Sequence, residues 1–236
     1  MSGLLLAGGP PEGHISANPN MRQRPHQDRL RIAGPSGALE ALLESPAELA
    51  VAGSAVVCHP HPLHGGTLEN KVVHMLARSF VAQGFSTLRF NFRGVGASEG
   101  TFDEGNGELA DVLAAVAWMQ ETEPQLPLWL AGFSFGAALA VRAAVACAPA
   151  GLISVAPAIS RFASNFSSQP ECPWLILQGD QDELVDIEET IAWVNTLDPG
   201  PALEIFPETE HFFHGKLILL RDSVENFIQE NAKALP

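Results

Sequence analysis

Short apolar runs that alternate with helix-like segments constrain the fold of this 236-residue chain more than any other feature. The runs are apolar throughout rather than at every second residue, which indicates strands that are buried on both faces. The segments between them, such as Glu108–Glu121, carry apolar residues three and four positions apart and predict amphipathic helices of about 10–15 residues. We therefore predict an α/β fold with a mainly parallel sheet and helices on both of its faces.

The predicted elements begin with an antiparallel hairpin, because the turn signal Gly34–Gly37 separates two strand-like runs. The predicted strands are Leu30–Ile32, Ala38–Glu44, Ser54–Cys58, Ser86–Phe92, Leu128–Phe133, Leu152–Val155, Trp174–Leu177 and Leu203–Phe206. The predicted helices are Asn70–Gln83, Glu108–Glu121, Ala137–Cys147, Ile187–Leu197 and Leu217–Ala232. Functional groups in such a sheet lie on the loops beyond the carboxyl ends of the strands, so a site is expected there.

Residues 1–27 differ from the rest of the chain because they are rich in Gly, Pro and Asn and lack both hydrophobic periods. We expect a flexible leader there, followed by a single domain over residues 28–236. Single α/β domains reach about 250 residues, so one domain accounts for this length. Met21 is an alternative start of the chain, which leaves open whether residues 1–20 belong to it.

The charge and the residue counts exclude several classes of protein. Lys and Arg number 13 against 27 Asp and Glu, which gives a formal net charge of −14 that repels the phosphates of nucleic acid. The absence of Tyr excludes enzymes of similar size that depend on a catalytic tyrosine, such as the Tyr/Lys dehydrogenases. We therefore expect neither a nucleic-acid partner nor that redox chemistry.

The three cysteines, Cys58, Cys147 and Cys172, are an odd number, lie far apart in the chain and occur in or beside apolar stretches. This pattern is typical of reduced, intracellular proteins rather than of a disulfide framework. The apolar run Leu4–Ala7 near the N-terminus is too short for a signal peptide or a membrane span. We expect a cytoplasmic protein without a membrane partner, present as a monomer or a homodimer.

The segment Gly132–Gly136, with the sequence Gly-Phe-Ser-Phe-Gly, lies directly after an apolar strand and directly before a helix. A serine at such a turn has strained backbone, and its hydroxyl is presented at the edge of the sheet, as a nucleophile requires. The alternative is that Ser134 is only the N-cap of the next helix. Ser134 is therefore the candidate nucleophile, and its surroundings must decide between the two roles.

Two later loops supply an acid and then a base, each directly after a predicted strand. Gly179–Val185 follows one predicted strand and contains Asp182, and His211 follows the last predicted strand. A serine hydroxyl needs a neutral imidazole to take its proton and a carboxylate to orient that imidazole. By number alone, Asp180 and His214 are equally placed, and Asp182 could instead cap the helix after it.

The loop His59–Thr67 follows an early predicted strand, the position from which an oxyanion hole takes its second backbone N–H group. The first N–H group belongs to the residue after the nucleophile, Phe135. Pro60 and Pro62 have no N–H group, so His61 between them is the natural second donor. We predict an oxyanion hole built from the backbone N–H groups of His61 and Phe135.

The same loop contains His59, His61 and His64, three imidazoles within six residues that could converge on zinc. Dinuclear zinc hydrolases with this spacing carry an Asp directly before the last His, where this chain has Leu63. We expect no metal, with at least one imidazole packed structurally beside the loop, and a zinc hydrolase is the alternative.

Two arginines, Arg89 and Arg93, lie near the end of the predicted strand Ser86–Phe92. They could bind an anionic substrate, but the many carboxylates of so acidic a chain favour ion pairs. The segment Gly94–Gly100 resembles a dinucleotide-binding fingerprint, yet Glu99 stands where a glycine is needed and would repel a pyrophosphate. We predict ion pairs for both arginines and a tight strand-to-helix connection for the glycine-rich segment.

From about residue 28 to residue 236 the chain resembles the α/β-hydrolase superfamily, and within it the small bacterial carboxylesterase-like group. The motifs that carry the resemblance are His-Pro-His-Pro-x-x-Gly-Gly-Thr at His59–Thr67, Asn70–Val73, Leu88–Gly100, Gly-Phe-Ser-Phe-Gly at Gly132–Gly136, and Gly179-x-x-Asp182-x-x-Val185. The roles that this resemblance implies are nucleophile for Ser134, acid for Asp182, base for His211, and oxyanion donors for the N–H groups of His61 and Phe135.

The resemblance also implies an activity, that of a carboxylesterase that forms an acyl-enzyme and needs no metal or organic cofactor. The expected substrate is a small-molecule ester, and Phe212, beside His211, is the expected substrate-binding side chain. A peptidase, a thioesterase, a perhydrolase or a non-catalytic binding protein of the same fold are the alternatives. Only residues 156–173 separate two of the predicted strands, which leaves no room for a lid domain and favours an open site.

Overall fold

The structure, a computed structural model, describes residues 25–47, 50–162 and 168–232. The strands are β1 (His26–Gly34), β2 (Gly37–Ser45), β3 (Gly53–Cys58), β4 (Phe85–Phe90), β5 (Leu128–Phe133), β6 (Gly151–Val155), β7 (Trp174–Gly179) and β8 (Ala202–Phe206). The helices are α1 (Lys71–Ala82), α2 (Asn106–Thr122), α3 (Phe135–Cys147), α4 (Ile159–Phe162), α5 (Ile187–Val194) and α6 (Leu217–Ala232), with a 3₁₀ turn at Pro62–His64.

The strands form a single eight-stranded sheet in the order β1-β2-β4-β3-β5-β6-β7-β8. β1 pairs with β2 and β2 with β4 in antiparallel fashion, whereas every pair from β4 to β8 is parallel. The predicted fold class, a mainly parallel sheet that begins with an antiparallel hairpin, is therefore confirmed. The carboxyl ends of β3, β5, β7 and β8 all lie at one edge of this sheet.

The central strands are buried along their whole length, which explains why most of their residues are apolar. Every residue of β3 to β7 is buried. Alternate strand residues join two hydrophobic clusters, one with α2 and α3 and the other with α1 and α6. The helices thus cover both faces of the sheet, and burial of each large apolar side chain contributes about 1.5–3 kcal/mol to the free energy of unfolding.

The N-terminal hairpin begins earlier than the sequence indicated. β1 starts at His26 because its first residues pair with the end of β2, His26 with Ser45 and Gln27 with Glu44. The Gln27 side-chain Nε2 also donates a hydrogen bond of 2.7 Å to Glu44. The last two residues of the expected leader 1–27 therefore belong to the sheet, and residues 1–24 lie outside the described part.

Several elements differ from the sequence interpretation, four of them for clear local reasons. α3 begins at Phe135, two residues before the predicted start, because Gly136 was assigned to the turn and is instead helical. β7 continues to Gly179, two residues beyond the predicted end, because the polar residue Gln178 interrupts the apolar pattern within the strand. The four-residue α4 and the 3₁₀ turn are too short to show a hydrophobic period.

Both predicted arginine ion pairs are present and buried. Arg89 Nε lies 2.8 Å from Glu44 Oε2, and Arg93 Nη2 lies 2.8 Å from Asp111 Oδ1. Arg93 also donates through Nε and through its backbone N–H to Asp111 Oδ2. Because both guanidinium groups are satisfied inside the fold, they anchor the loop after β4 and are not presented to a substrate.

Between β6 and β7, the described residues 156–162 and 168–173 contain only the short helix α4 and no lid domain. No helix in the described ranges has both the length and the apolar character to cross a membrane.

Candidate active site

Ser134 lies between the last residue of β5 and the first residue of α3, at the carboxyl edge of the sheet. Its φ of 56° is in the left-handed region, which a serine adopts only at a cost in backbone strain. The glycines on both sides are required by packing, because a Cβ at Gly132 would collide with the carbonyl oxygen of Gly136. A Cβ at Gly136 would collide with the carbonyl oxygen of His59. The chain is therefore compressed into a sharp turn around Ser134.

The Ser134 hydroxyl makes no N-cap hydrogen bond to α3, although the residue stands at the N-cap position. The turn is held by the backbone instead: the Ser134 N–H group donates to Val155 O at 2.8 Å, and Ala158 N–H donates to Ser134 O at 3.2 Å. The side chain is thus left half-buried and unused by the helix. This geometry disfavours the alternative in which Ser134 serves only as a cap.

His211 and Asp182 form a buried pair at the same edge of the sheet. His211 Nδ1 lies 2.8 Å from Asp182 Oδ2 and 3.0 Å from Oδ1, and both side chains are almost wholly inaccessible to solvent. The His211 ring also lies 4.9 Å, centroid to centroid, from the ring of Phe133, the residue directly before Ser134. The imidazole therefore lies beside the turn that carries the serine.

Four groups contact the buried Asp182 carboxylate: the His211 ring, the Gln178 side chain and two backbone N–H groups. Oδ1 accepts from the N–H groups of Leu184 at 2.9 Å and Val185 at 2.8 Å, and Oδ2 accepts from Gln178 Nε2 at 2.9 Å. Burial by itself raises the pKa of Asp182, but the hydrogen bond and charge of His211, with the two backbone N–H groups, outweigh it and lower the pKa. The carboxyl group is therefore ionised where it faces the imidazole.

The competing acid, Asp180, has a different partner. Its Oδ1 accepts the backbone N–H of Thr209 at 3.3 Å, which ties the loop after β7 to the loop after β8. Asp182 does not cap α5 either, because Asp186 is the N-cap and accepts the N–H groups of residues 188 and 189. The geometry thus places Asp182, and neither neighbour, against His211.

The competing base, His214, lies on the surface and is paired elsewhere. Its Nδ1 contacts Glu210 Oε1, and both side chains are exposed. The backbone N–H of His211, by contrast, donates to Glu183 Oε2 at 3.3 Å and holds the His211 loop against the loop that carries Asp182. His211, rather than His214, is therefore the imidazole that pairs with the acid loop, and its action on Ser134 stays a prediction.

The two predicted oxyanion donors belong to adjacent segments. The rings of His61 and Phe135 lie 5.0 Å apart, and the collision described for Gly136 shows how closely α3 approaches the backbone of His59. Neither the His61 nor the Phe135 N–H group donates a hydrogen bond to another residue in the described part of the chain. Both N–H groups are therefore without a protein acceptor in the described ranges, and the oxyanion hole stays a prediction.

His59 fixes the backbone directly before the His61 donor. The residue is fully buried, its Nδ1 lies 2.6 Å from Pro60 O, and its Nε2 accepts the N–H of Phe92 at 3.0 Å. Because Nε2 accepts, the proton is on Nδ1 and the ring is neutral. Burial lowers the pKa of His59 to about 4, against the opposing effect of the Pro60 hydrogen bond and with a smaller contribution from His61.

Backbone contacts of His59 and His61 occupy ring nitrogens that a zinc site at the three histidines would need. His59 already uses both ring nitrogens on backbone groups, and His61 Nδ1 accepts the N–H of Leu63 at 3.2 Å. In the ranges that the structure describes, no three or more His, Cys, Asp or Glu side chains are arranged to hold a metal. His59 is instead the structural imidazole expected beside the loop.

The titration of His59 makes the stability of the fold dependent on pH. An ordinary His with a pKa near 6.5 takes up a proton in the unfolded chain as the pH falls, whereas folded His59 stays neutral down to about pH 4. The contribution of neutral His59 to the free energy of unfolding is therefore complete above about pH 6.5. It falls by about 3 kcal/mol in all as the pH falls towards 4. We expect urea unfolding of the wild type to show this loss and His59→Gln to lack it. Equal losses in the two proteins would contradict the assignment.

Phe212 lies at the rim of the site and Phe135 within the fold. Phe212 is 39% exposed, and its ring is 5.1 Å from the ring of His211 and 6.0 Å from that of Phe133. Phe135 is fully buried, so its ring is not exposed to solvent. An exposed aromatic ring beside the base is suited to contact a bound substrate.

A cleft of about 210 Å³ adjoins the site. Its lining residues are Ala158, Ser160, Arg161, Leu184, Val185, Asp186 and Glu189. Ala158 hydrogen-bonds the Ser134 carbonyl, and Val185 hydrogen-bonds Asp182, so the cleft lies between the nucleophile turn and the acid loop. Sequence reasoning missed this cleft because α4, which supplies two of its residues, has no periodic signal.

Comparison with protein families and curated proteins gives two matches. The family model described as serine aminopeptidase, S33, matches residues 55–170, which include Ser134 and the His61 loop but not Asp182 or His211. The chain is also 33% identical over 210 residues to an uncharacterized protein, RP471, of Rickettsia prowazekii. That similarity covers 85% of this chain and 88% of the relative.

Solved structures show the same fold over nearly the whole chain. XC6422 from Xanthomonas campestris, an α/β serine hydrolase without a lid, is 41% identical with a TM-score of 0.84, covering 93% of this chain and 100% of its own. An α/β serine hydrolase homologue from Coxiella burnetii is 44% identical with a TM-score of 0.80, covering 84% of this chain and 96% of its own.

Proposed function

Because this chain belongs to the α/β serine hydrolase superfamily, we propose that it is a carboxylesterase that cleaves small or solvent-accessible carboxylic esters. The observation that carries the proposal is the state of Ser134. Its backbone is strained at a strand-to-helix turn, and its hydroxyl makes no capping hydrogen bond to the helix. The residue also lies beside the buried His211–Asp182 pair. Strain of this kind is retained where a function requires it.

The proposed reaction uses these groups in two stages. Ser134 Oγ attacks the ester carbonyl carbon while His211 takes the hydroxyl proton, and the carbonyl oxygen becomes an oxyanion that the N–H groups of His61 and Phe135 bind. The tetrahedral intermediate then collapses, the C–O bond to the alcohol breaks, and His211 returns its proton to the departing alkoxide. An acyl group is left on Ser134.

Water completes the cycle. His211 removes a proton from a water molecule as that water attacks the acyl carbon, and then returns the proton to Ser134 Oγ as the carboxylic acid leaves. Asp182 holds the Nδ1–H of His211 throughout and stabilises the imidazolium that forms in each stage. No step draws on a metal or an organic cofactor.

The proposed substrate range follows from the surroundings of the serine. Among the described residues between β6 and β7, α4 is the only helix, and we propose that esters reach Ser134 without the opening of a lid domain. The 210 Å³ cleft offers Ser160, Arg161 and Glu189 to one end of the substrate, and Phe212 offers an apolar surface beside the base. These features support small esters with a polar portion over long-chain lipids.

A peptidase is the second candidate, because the matching family model is described as a serine aminopeptidase. The same residues attack an amide, but the amine leaving group requires more assistance from His211 than an alkoxide does. A thioesterase or a perhydrolase would also use the same triad. A non-catalytic binding protein would not retain all three groups in this arrangement.

A panel of substrates tests the proposal. We expect the purified full chain to hydrolyse p-nitrophenyl acetate and butyrate faster than p-nitrophenyl palmitate, and aminoacyl p-nitroanilides more slowly than any short ester. Activity should be unchanged by EDTA, because no metal takes part. Preference for the anilides would favour the peptidase, and activity that EDTA removes would favour the zinc hydrolase.

A further inference from the structure

Gln178 is a fully buried polar residue in a strand that is otherwise apolar up to that point, from Trp174 to Leu177. Its Nε2 donates to Asp182 Oδ2 at 2.9 Å and to the carbonyl oxygen of Val185 at 3.2 Å. Both neighbours are acceptors, so the amide nitrogen is the atom that faces them. The side chain therefore connects the strand to the loop that carries the acid.

The two hydrogen bonds act on one carboxylate from two sides. Val185, whose carbonyl accepts from Gln178, also donates its N–H to Asp182 Oδ1. Gln178 thus fixes Asp182 Oδ2 directly and fixes the donor to Oδ1 through Val185. The oxygen that it contacts directly, Oδ2, is also the one nearest to His211 Nδ1.

Stability of the core does not account for a glutamine at this position. Its Oε1 is buried and accepts no hydrogen bond from any residue that the structure describes. A buried acceptor left unpaired is destabilising, and an apolar side chain of the same length would avoid that cost. The residue is therefore explained by what its nitrogen does to Asp182 rather than by packing.

We propose that Gln178 is a positioning residue that orients the Asp182 carboxylate towards His211 and disperses part of its negative charge. The inference rests on the proposed function, since it assigns a role within the Ser134–His211–Asp182 triad. The charged groups that face His211 are Asp182 and, through the backbone N–H, Glu183. Neither is altered when Gln178 is replaced.

Gln178→Met tests the proposal, because methionine fills the same space and donates no hydrogen bond. We expect kcat for p-nitrophenyl acetate to fall by roughly tenfold to a hundredfold with KM within about twofold, since Asp182 without this hydrogen bond is no longer held in the orientation that aligns the His211 imidazole with Ser134. With one donor fewer, the charge of Asp182 is less compensated and favours a protonated His211. The acid limb of the pH profile should therefore move up by about half a pH unit.

Gln169→Met is the matched control. Gln169 also loses two hydrogen bonds on this change, to Pro199 and Asp198, but it lies outside the site, so kcat and the acid limb should stay at the wild-type values. Gln178→Leu, which likewise donates no hydrogen bond to Asp182, gives the same test if the methionine variant does not fold.

The outcomes separate this inference from the proposed function. A folded Gln178 variant with kcat within about twofold of the wild type, or with an unmoved acid limb, overturns the role of Gln178 while the wild-type esterase stands. A wild-type protein without activity overturns the proposed function itself.

Discussion

Replacement of Ser134 by alanine is expected to lower kcat for short esters by at least about 10⁴-fold. The hydroxyl supplies the only bond to the acyl group in the proposed reaction, and no other side chain at the turn replaces it. What remains is the slower attack of water on an ester held by the N–H groups of His61 and Phe135. The measurement is steady-state hydrolysis of p-nitrophenyl acetate by the wild type and the variant.

Ser54→Ala is the matched control for that change. Ser54 is a buried serine of β3 whose Oγ has no hydrogen-bond partner among the described residues, so its loss should leave activity and thermal unfolding unchanged. Ser134→Ala should also unfold at the wild-type temperature, because its hydroxyl caps no helix. More than about 1% of wild-type activity in Ser134→Ala would mean that another group is the nucleophile.

Asp182→Asn is expected to lower kcat by about 10³- to 10⁴-fold while the fold is retained. The N–H groups of Leu184 and Val185 both require an acceptor, so the asparagine oxygen takes the position of Oδ1. Its NH₂ group then faces Gln178 Nε2 and His211 Nδ1, which are both donors in the wild type. His211 can relieve this conflict only by moving its proton to Nε2, and it then has no lone pair for the Ser134 hydroxyl.

Asp180→Asn is the control that distinguishes the two neighbouring acids. Asparagine keeps an oxygen to accept the Thr209 N–H, so this variant should retain kcat within about twofold. Kinetics of both variants at one pH decide the assignment. A large loss in Asp180→Asn together with a small loss in Asp182→Asn would transfer the role of acid to Asp180.

The parts of the protein that sequence could predict are those with a local signal. Short apolar runs in buried parallel strands located β3, β5, β6 and β7, and the order strand, Gly-x-Ser-x-Gly, helix located the turn at Ser134. The antiparallel hairpin followed from the turn at Gly34–Gly37. Each of these depends on residues that are close together in the chain, and so the sequence contains what is needed.

The choice between neighbouring candidates depended on contacts across the sheet. Asp180 and Asp182 are two residues apart, and only the position of Thr209, in a different loop, determines that Asp180 binds backbone while Asp182 faces His211. His214 likewise pairs with Glu210 at the surface rather than with an acid inside the site. A pattern in the sequence could rank these candidates through the family resemblance but could not show which side chain turns inward.

The supporting residues were the least accessible to prediction. The predicted strand ends at Leu177 because Gln178 interrupts the apolar run. In the structure Gln178 lies inside β7. His59 was expected to be structural, but its two backbone partners, Pro60 and Phe92, became visible only when β3 and β4 were placed side by side. A polar residue four positions before a candidate acid, in an otherwise apolar strand, is the signal that could have found Gln178.

The central claim is that Ser134 is an activated nucleophile, and reaction with a fluorophosphonate probe tests it most directly. The probe bonds only to a serine whose hydroxyl is activated by a neighbouring base, and so it needs no knowledge of the natural ester. Mass spectrometry of the labelled, folded protein should show one adduct per chain, on the peptide that contains Ser134, and none in His211→Gln. An unlabelled folded wild type, or an adduct on any other residue, would contradict the account.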